Sequence, residues 1–147
     1  MKIAQMLALA MLLGSIPFGH IAVYIRTRDS SEVSSRGIAA IRDAVGWPGL
    51  IAVVILNIAK GFVPVFLTTV ALYKTVQACA IKYPQGGYEC MILLSRESIP
   101  IALLAGAIAV LSHCFPYWLM FRPSGKGGSV AIGVGLGLVA ALMFKYI

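Results

Sequence analysis

Four stretches of this chain, about residues 3–25, 49–73, 99–120 and 130–147, are apolar over nearly their whole length, and each approaches or exceeds the roughly 20 helical residues needed to cross bilayer hydrocarbon. Inside hydrocarbon the backbone has no water to bond, so such a segment satisfies its own N–H and C=O groups as a helix. Composition extends the constraint to the whole chain: 60% apolar residues, 12% charged and a mean hydropathy of +0.92 leave too little polar surface for a soluble fold. The expectation is an all-α, polytopic helical membrane protein with about four transmembrane helices, forming a single integral membrane domain over residues 1–147. Lys2 ahead of the first apolar run raises the alternative of a secretory signal. That run continues past Gly14 and Pro17 to Tyr24 without a convincing small-x-small cleavage site, so it reads as a retained helix.

A net charge of +7 does not imply nucleic acid, because the twelve Lys and Arg, Lys60 apart, are scattered over loops and helix ends, with no basic helix or aromatic ladder. A membrane surface and anionic substrates account for them better. The first and third loops hold Arg26, Arg28, Arg36, Arg42, Arg122 and Lys126, against Lys2, Lys74, Lys82, Arg96 and Lys145 on the other side. The tally is nearly even. Arg26 and Arg28 sit directly at a helix end, however, and the third loop has cations and no acid, which places loops 26–46 and 120–129 in the cytoplasm and the N-terminus outside.

The third loop carries the clearest chemistry. His113-Cys114-Phe115-Pro116 ends one apolar run, and Pro123-Ser124-Gly125-Lys126-Gly127-Gly128-Ser129 leads into the next. Glycines let backbone N–H groups approach a ligand, the following helix contributes its positive N-terminal dipole, and Lys126 adds a full charge, a combination suited to phosphate. An isolated loop lysine is more often a positive-inside anchor; the flanking glycines and the helix start tip the balance here. His113 is eligible to accept a proton or to orient the group that does, although a lone intramembrane histidine more often bonds a neighbouring helix. Lys60, near the middle of its run, should face the bundle interior or a wet cavity, with Asn57 one turn away as its partner. Gly133 and Gly137 make a small-xxx-small face for close helix packing. Residues 38–45 suit a short interfacial helix, Pro84-Gln85-Gly86-Gly87 a turn, and Ser98-Ile99-Pro100 a helix start. Cys114 reads as a small apolar residue, and Cys79 and Cys90 as free thiols slightly sooner than as a disulfide.

Taken together, Gly14-Ser15-Ile16-Pro17-Phe18-Gly19, Asn57-Ile58-Ala59-Lys60-Gly61 with Pro64, His113-Cys114-Phe115-Pro116 and Gly125-Lys126-Gly127 resemble, in order and spacing, the bacterial membrane acyl-phosphate:glycerol-3-phosphate acyltransferases of the PlsY type. The resemblance runs to about residue 138. It implies acyl transfer from acyl phosphate to the 1-hydroxyl of glycerol-3-phosphate, giving lysophosphatidic acid in phospholipid biosynthesis at the cell inner membrane, with no cofactor and no metal. In that reading His113, Ser35 and Lys126 are catalytic candidates. Arg42, Arg36, Gly125, Lys126, Gly127, Gly128 and Ser129 bind substrate phosphate, Ser34 being interchangeable with Ser35, and membrane lipids surround the acyl chain. Departures are visible. The family's first-loop asparagines are missing from Val33-Ser34-Ser35-Arg36-Gly37-Ile38-Ala39-Ala40, Asn57 stands where the family has Asp, and the sequence stops at Ile147, before the family's later His/Asn motif. The alternative is therefore a non-catalytic lipid- or phosphate-binding membrane subunit, or a site completed by a second chain. A small transporter would need a polar path across the bundle, for which only Asn57 and Lys60 speak.

Overall fold

The computed structural model describes residues 3–82, 87–116 and 127–144, and the described residues are helical throughout apart from short connections. Six helices follow one another: α1 (Ile3–Ser15), α2 (Phe18–Thr27), α3 (Ser31–Arg36), α4 (Ile38–Lys82), α5 (Gly87–Cys114) and α6 (Gly128–Phe144). The chain is a helical membrane protein. Ile3–Thr27 and Ile38–Cys79 are long and apolar enough to cross a bilayer, and Ile99–Cys114 and Gly128–Met143 are shorter apolar helices. Large apolar side chains such as Ile55, Leu111, Ile132, Val139 and Met143 lie on the outside, as a lipid-facing surface requires.

The first apolar run is broken where one helix was expected. Pro17 has no N–H to continue α1, and its φ of −87° and ψ of 70° make a tight turn in which the Phe18 N–H donates to the Ile16 carbonyl at 3.1 Å. A second departure is the reach of α4, whose 45 residues correspond to about 68 Å of helix against a hydrocarbon core of about 30 Å. It absorbs the expected interfacial helix as residues 38–45. Gly46, at φ 70°, then bends the chain just before Pro48. Pro64 lies inside α4 and Pro100 inside α5, so Ser98-Ile99-Pro100 does not start a helix: α5 already runs from Gly87. The Pro84-Gln85-Gly86 part of the expected turn lies outside the described residues.

Packing centres on α4, which contacts α5 and α6 most extensively and also α1 and α2, while α1 lies along α5. Two crossings are backbone to backbone. A Cβ on Gly61 would collide with the Val130 carbonyl, and one on Gly133 with the Ile58 carbonyl; at Gly14 it would stand 2.5 Å from the Ala109 oxygen. The expected small-residue face of α6 thus packs on α4 at Gly133 and Gly137, the latter against Phe62 and Val65. Near α3 a cluster of Val23, Val33, Ala40, Ile41, Leu50 and Val53 is buried, holding α2, α3 and the start of α4 together. Cys114 is a free thiol, but Cys79 is disulfide-bonded, which corrects the expectation of free thiols in the second loop.

Candidate functional site

Breaking a helix inside a bilayer leaves carbonyls that must find donors within the protein. At the end of α1 the Ser15 hydroxyl donates to the Leu12 carbonyl at 2.9 Å, and the Lys60 ammonium donates to the Ile16 carbonyl at 2.6 Å. Lys60 is only 4% exposed. Its charge is eased by the negative C-terminal end of α1 and by the Phe18 ring, 5.3 Å from Nζ to centroid. Lys60 therefore faces the interior as expected but does not pair with Asn57, whose buried Oδ1 has no hydrogen-bond partner among the described residues. A lysine side chain is long enough to reach across to the neighbouring helix, and the proline break offers it a stronger acceptor there.

Other polar groups gather at the same depth. His113 occupies the last turn of α5. His20, buried on α2, is 3.2 Å from Nε2 to the Ser34 hydroxyl oxygen of α3. On the far side, Gly127 is in the left-handed region at φ 67°, its carbonyl accepts the Ala131 N–H at 2.9 Å to open α6, and a Cβ there would press on Cys114 Sγ at 2.9 Å. The end of α5 and the start of α6 are thus in contact. Gly128, in the first turn of a 17-residue helix, is exposed, with nothing near the position of a Cβ. An anion approaching that end meets donors and a favourable dipole.

The expected residues do not all meet. Gly127, Gly128, Ser129 and His113 fall at this junction, while Gly125 and Lys126 lie outside the described residues. Ser35 is exposed and donates to the Glu32 carbonyl of its own helix at 3.1 Å, whereas its neighbour Ser34 is joined to His20. Arg36 forms ion pairs with Glu32 and Asp43, both at 2.7 Å, and these carboxylates hold its guanidinium above the usual arginine range, the Glu32 hydrogen bond contributing most. Arg42 pairs with Asp43 at 3.0 Å, its guanidinium 6.0 Å from the Trp47 ring centroid. Both arginines are committed to the rim of α3 and α4. His20 is the member that sequence reasoning passed over, although a histidine in an apolar run was a signal in itself.

A family model described as glycerol-3-phosphate acyltransferase matches residues 4–147. Among curated relatives, the glycerol-3-phosphate acyltransferase of Leptospira borgpetersenii serovar Hardjo-bovis (strain JB197) is 32% identical over 147 residues, covering 98% of this chain and 57% of that protein. The protein of the same name from Rhodopseudomonas palustris (strain BisB5) is 38% identical over 141 residues, covering 94% and 60%, and that of Anaplasma phagocytophilum (strain HZ) is 34% identical over 129 residues, covering 85% and 54%. The chain spans little more than half the length of these relatives. No solved structure matches it.

Proposed function

The chain belongs to the glycerol-3-phosphate acyltransferase family, and on that premise we propose that it transfers an acyl group from acyl phosphate to the 1-hydroxyl of glycerol-3-phosphate, yielding lysophosphatidic acid. The hydroxyl oxygen bonds to the acyl carbonyl carbon, the bond from that carbon to the phosphate oxygen breaks, inorganic phosphate leaves, and the hydroxyl proton passes to a base. The donor is already activated. What remains for the protein is to hold two phosphates, align the hydroxyl and stabilise the oxyanion.

The observation that carries this reading is the Lys60 ammonium on the carbonyl at the α1–α2 break, next in sequence to Gly61, which packs on the first turn of α6, where Gly127 lies against Cys114, the residue after His113. Lys126 and the N–H groups after Gly127 bind one phosphate. Arg36 and Arg42 exchange the carboxylates of Glu32 and Asp43 for phosphate oxygens at the rim, which arginine forks match in pairs. His113 takes the proton, Ser34 or Ser35 bonds a phosphate oxygen, and the acyl chain lies along the apolar helices. With α1 and α2 counted as one of four passes, the cations of loops 26–46 and 120–129 put α3 in the cytoplasm and the N-terminus outside a cell inner membrane. The disulfide at Cys79 supports that orientation, since such bonds persist on the oxidising side.

The test is direct. Purified protein in lipid, given acyl phosphate and radiolabelled glycerol-3-phosphate, makes lysophosphatidic acid without metal or CoA. Lys126→Ala weakens phosphate binding, and His113→Ala lowers kcat about a hundredfold while leaving KM nearly unchanged. Binding of glycerol-3-phosphate without transfer would mark a phosphate-binding subunit whose site a second chain completes.

A further inference from the structure

We infer that His20 is a positioning residue, holding the Ser34 hydroxyl oxygen so that the serine's own proton is turned outward to a phosphate oxygen. Three observations combine. α3 has six residues, too few to hold its shape unaided, and it is tied down by buried Val33 and by the bond between Ser34 and His20. His20 is buried, so its ring needs polar partners, whereas Ser34 is exposed on its other side. A hydroxyl has one donor and two acceptor positions; with the imidazole N–H on the oxygen, the donor remains, and Ser34 has no other hydrogen bond among the described residues.

The opposite arrangement, with Nε2 accepting the serine proton, would make Ser34 a nucleophile, and in that chemistry a carboxylate ordinarily fixes the imidazole tautomer. The nearby acids are otherwise engaged: Asp29 accepts from Ser31, and Glu32 and Asp43 from Arg36. Ser35 instead gives its proton to the Glu32 carbonyl of its own helix and has no contact with His20.

The inference rests on the functional reading only for the identity of the ligand, and it is read by affinity. The full chain in lipid nanodiscs is titrated with radiolabelled glycerol-3-phosphate and, separately, with inorganic phosphate at fixed salt. His20→Leu and Ser34→Ala should each weaken glycerol-3-phosphate about tenfold, and the double variant no further, because both remove one unit. His20→Gln keeps an N–H donor and should stay within about threefold of the parent, which separates positioning from a loss of folding. Parallel losses for inorganic phosphate identify the phosphate oxygens as the ligand; a loss confined to glycerol-3-phosphate would overturn that assignment. Additive effects, or unchanged affinities with an acyl ester found on Ser34 by mass spectrometry, would overturn the positioning role. If the parent binds glycerol-3-phosphate but transfers nothing, the acyltransferase reading fails while the affinities still decide this one.

Discussion

A buried lysine is costly unless its surroundings return what water gave it, and Lys60 recovers part of that from one carbonyl, one ring and one helix end. Replacing it by Met removes the cost and the compensation together. Lys60→Met is therefore expected to move unfolding stability by less than about 2 kcal/mol, yet to weaken glycerol-3-phosphate about tenfold if the ammonium also serves the anion site. Thermal denaturation and equilibrium dialysis on the same sample separate the two. At this scale the sequence was partly legible. It marked Lys60 as inward-facing, because a charge amid apolar residues has no other tolerable direction, and Gly133 and Gly137 as a packing face, because four-residue spacing puts both on one side of a helix. It paired Lys60 with Asn57 wrongly, since proximity along one helix says nothing about an acceptor 44 positions away. Choosing between Ser34 and Ser35 likewise needed the facing helix: adjacent residues on a helix point about 100° apart, and only tertiary contact says which points inward.

Among the elements, the helices themselves were easier to foresee than their interruptions. Hydrophobic length announces a crossing helix, but proline's effect depends on what surrounds it. Pro17 breaks a helix because Lys60 and Phe18 satisfy the freed carbonyl, whereas Pro64 and Pro100 sit within continuous ones. The glycines of α6 give a paired test. Gly133→Ala forces a methyl group into the Ile58 backbone and should cost about 3 kcal/mol or more, while Gly135→Ala enters open space and should be neutral or stabilising by up to about 1 kcal/mol. Unfolding in detergent compares them. The small helix α3 carries a pH dependence. The Ser31 backbone N–H, and after it the Ser31 hydroxyl, hold the Asp29 carboxyl below its ordinary range. A depressed carboxylate contributes fully above its unfolded-state pKa and loses that contribution as pH falls through the folded-state value. Hydrogen-exchange protection across residues 31–36, taken relative to the intrinsic rate at each pH, should fall on acidification below the usual carboxylate range, and Asp29→Asn should abolish the dependence.

For the whole molecule, the orientation is checked with one native thiol removed. In a Cys114→Ala background, cysteines introduced at Ser35 and at Gly128 should react with a membrane-impermeant maleimide from the same side, and one at Lys82 from the other. Labelling of positions 35 and 128 from opposite faces would dismantle the proposed site. The proposed orientation draws little from the sequence, because loop charge is a bias on insertion and nearly equal tallies leave it undecided; a covalent link at Cys79 is independent of that bias. The crossing of α4 and α6 has a further consequence, one for inheritance. Where two side chains touch, an enlargement on one side can be relieved by a reduction on the other. At Gly61 and Gly133 the opposing surface is backbone, already the smallest a chain can present. Selection for suppressors of Gly133→Ala should therefore return the original glycine and nothing at position 61, and lineages of this chain would change these two positions only by moving the helices apart.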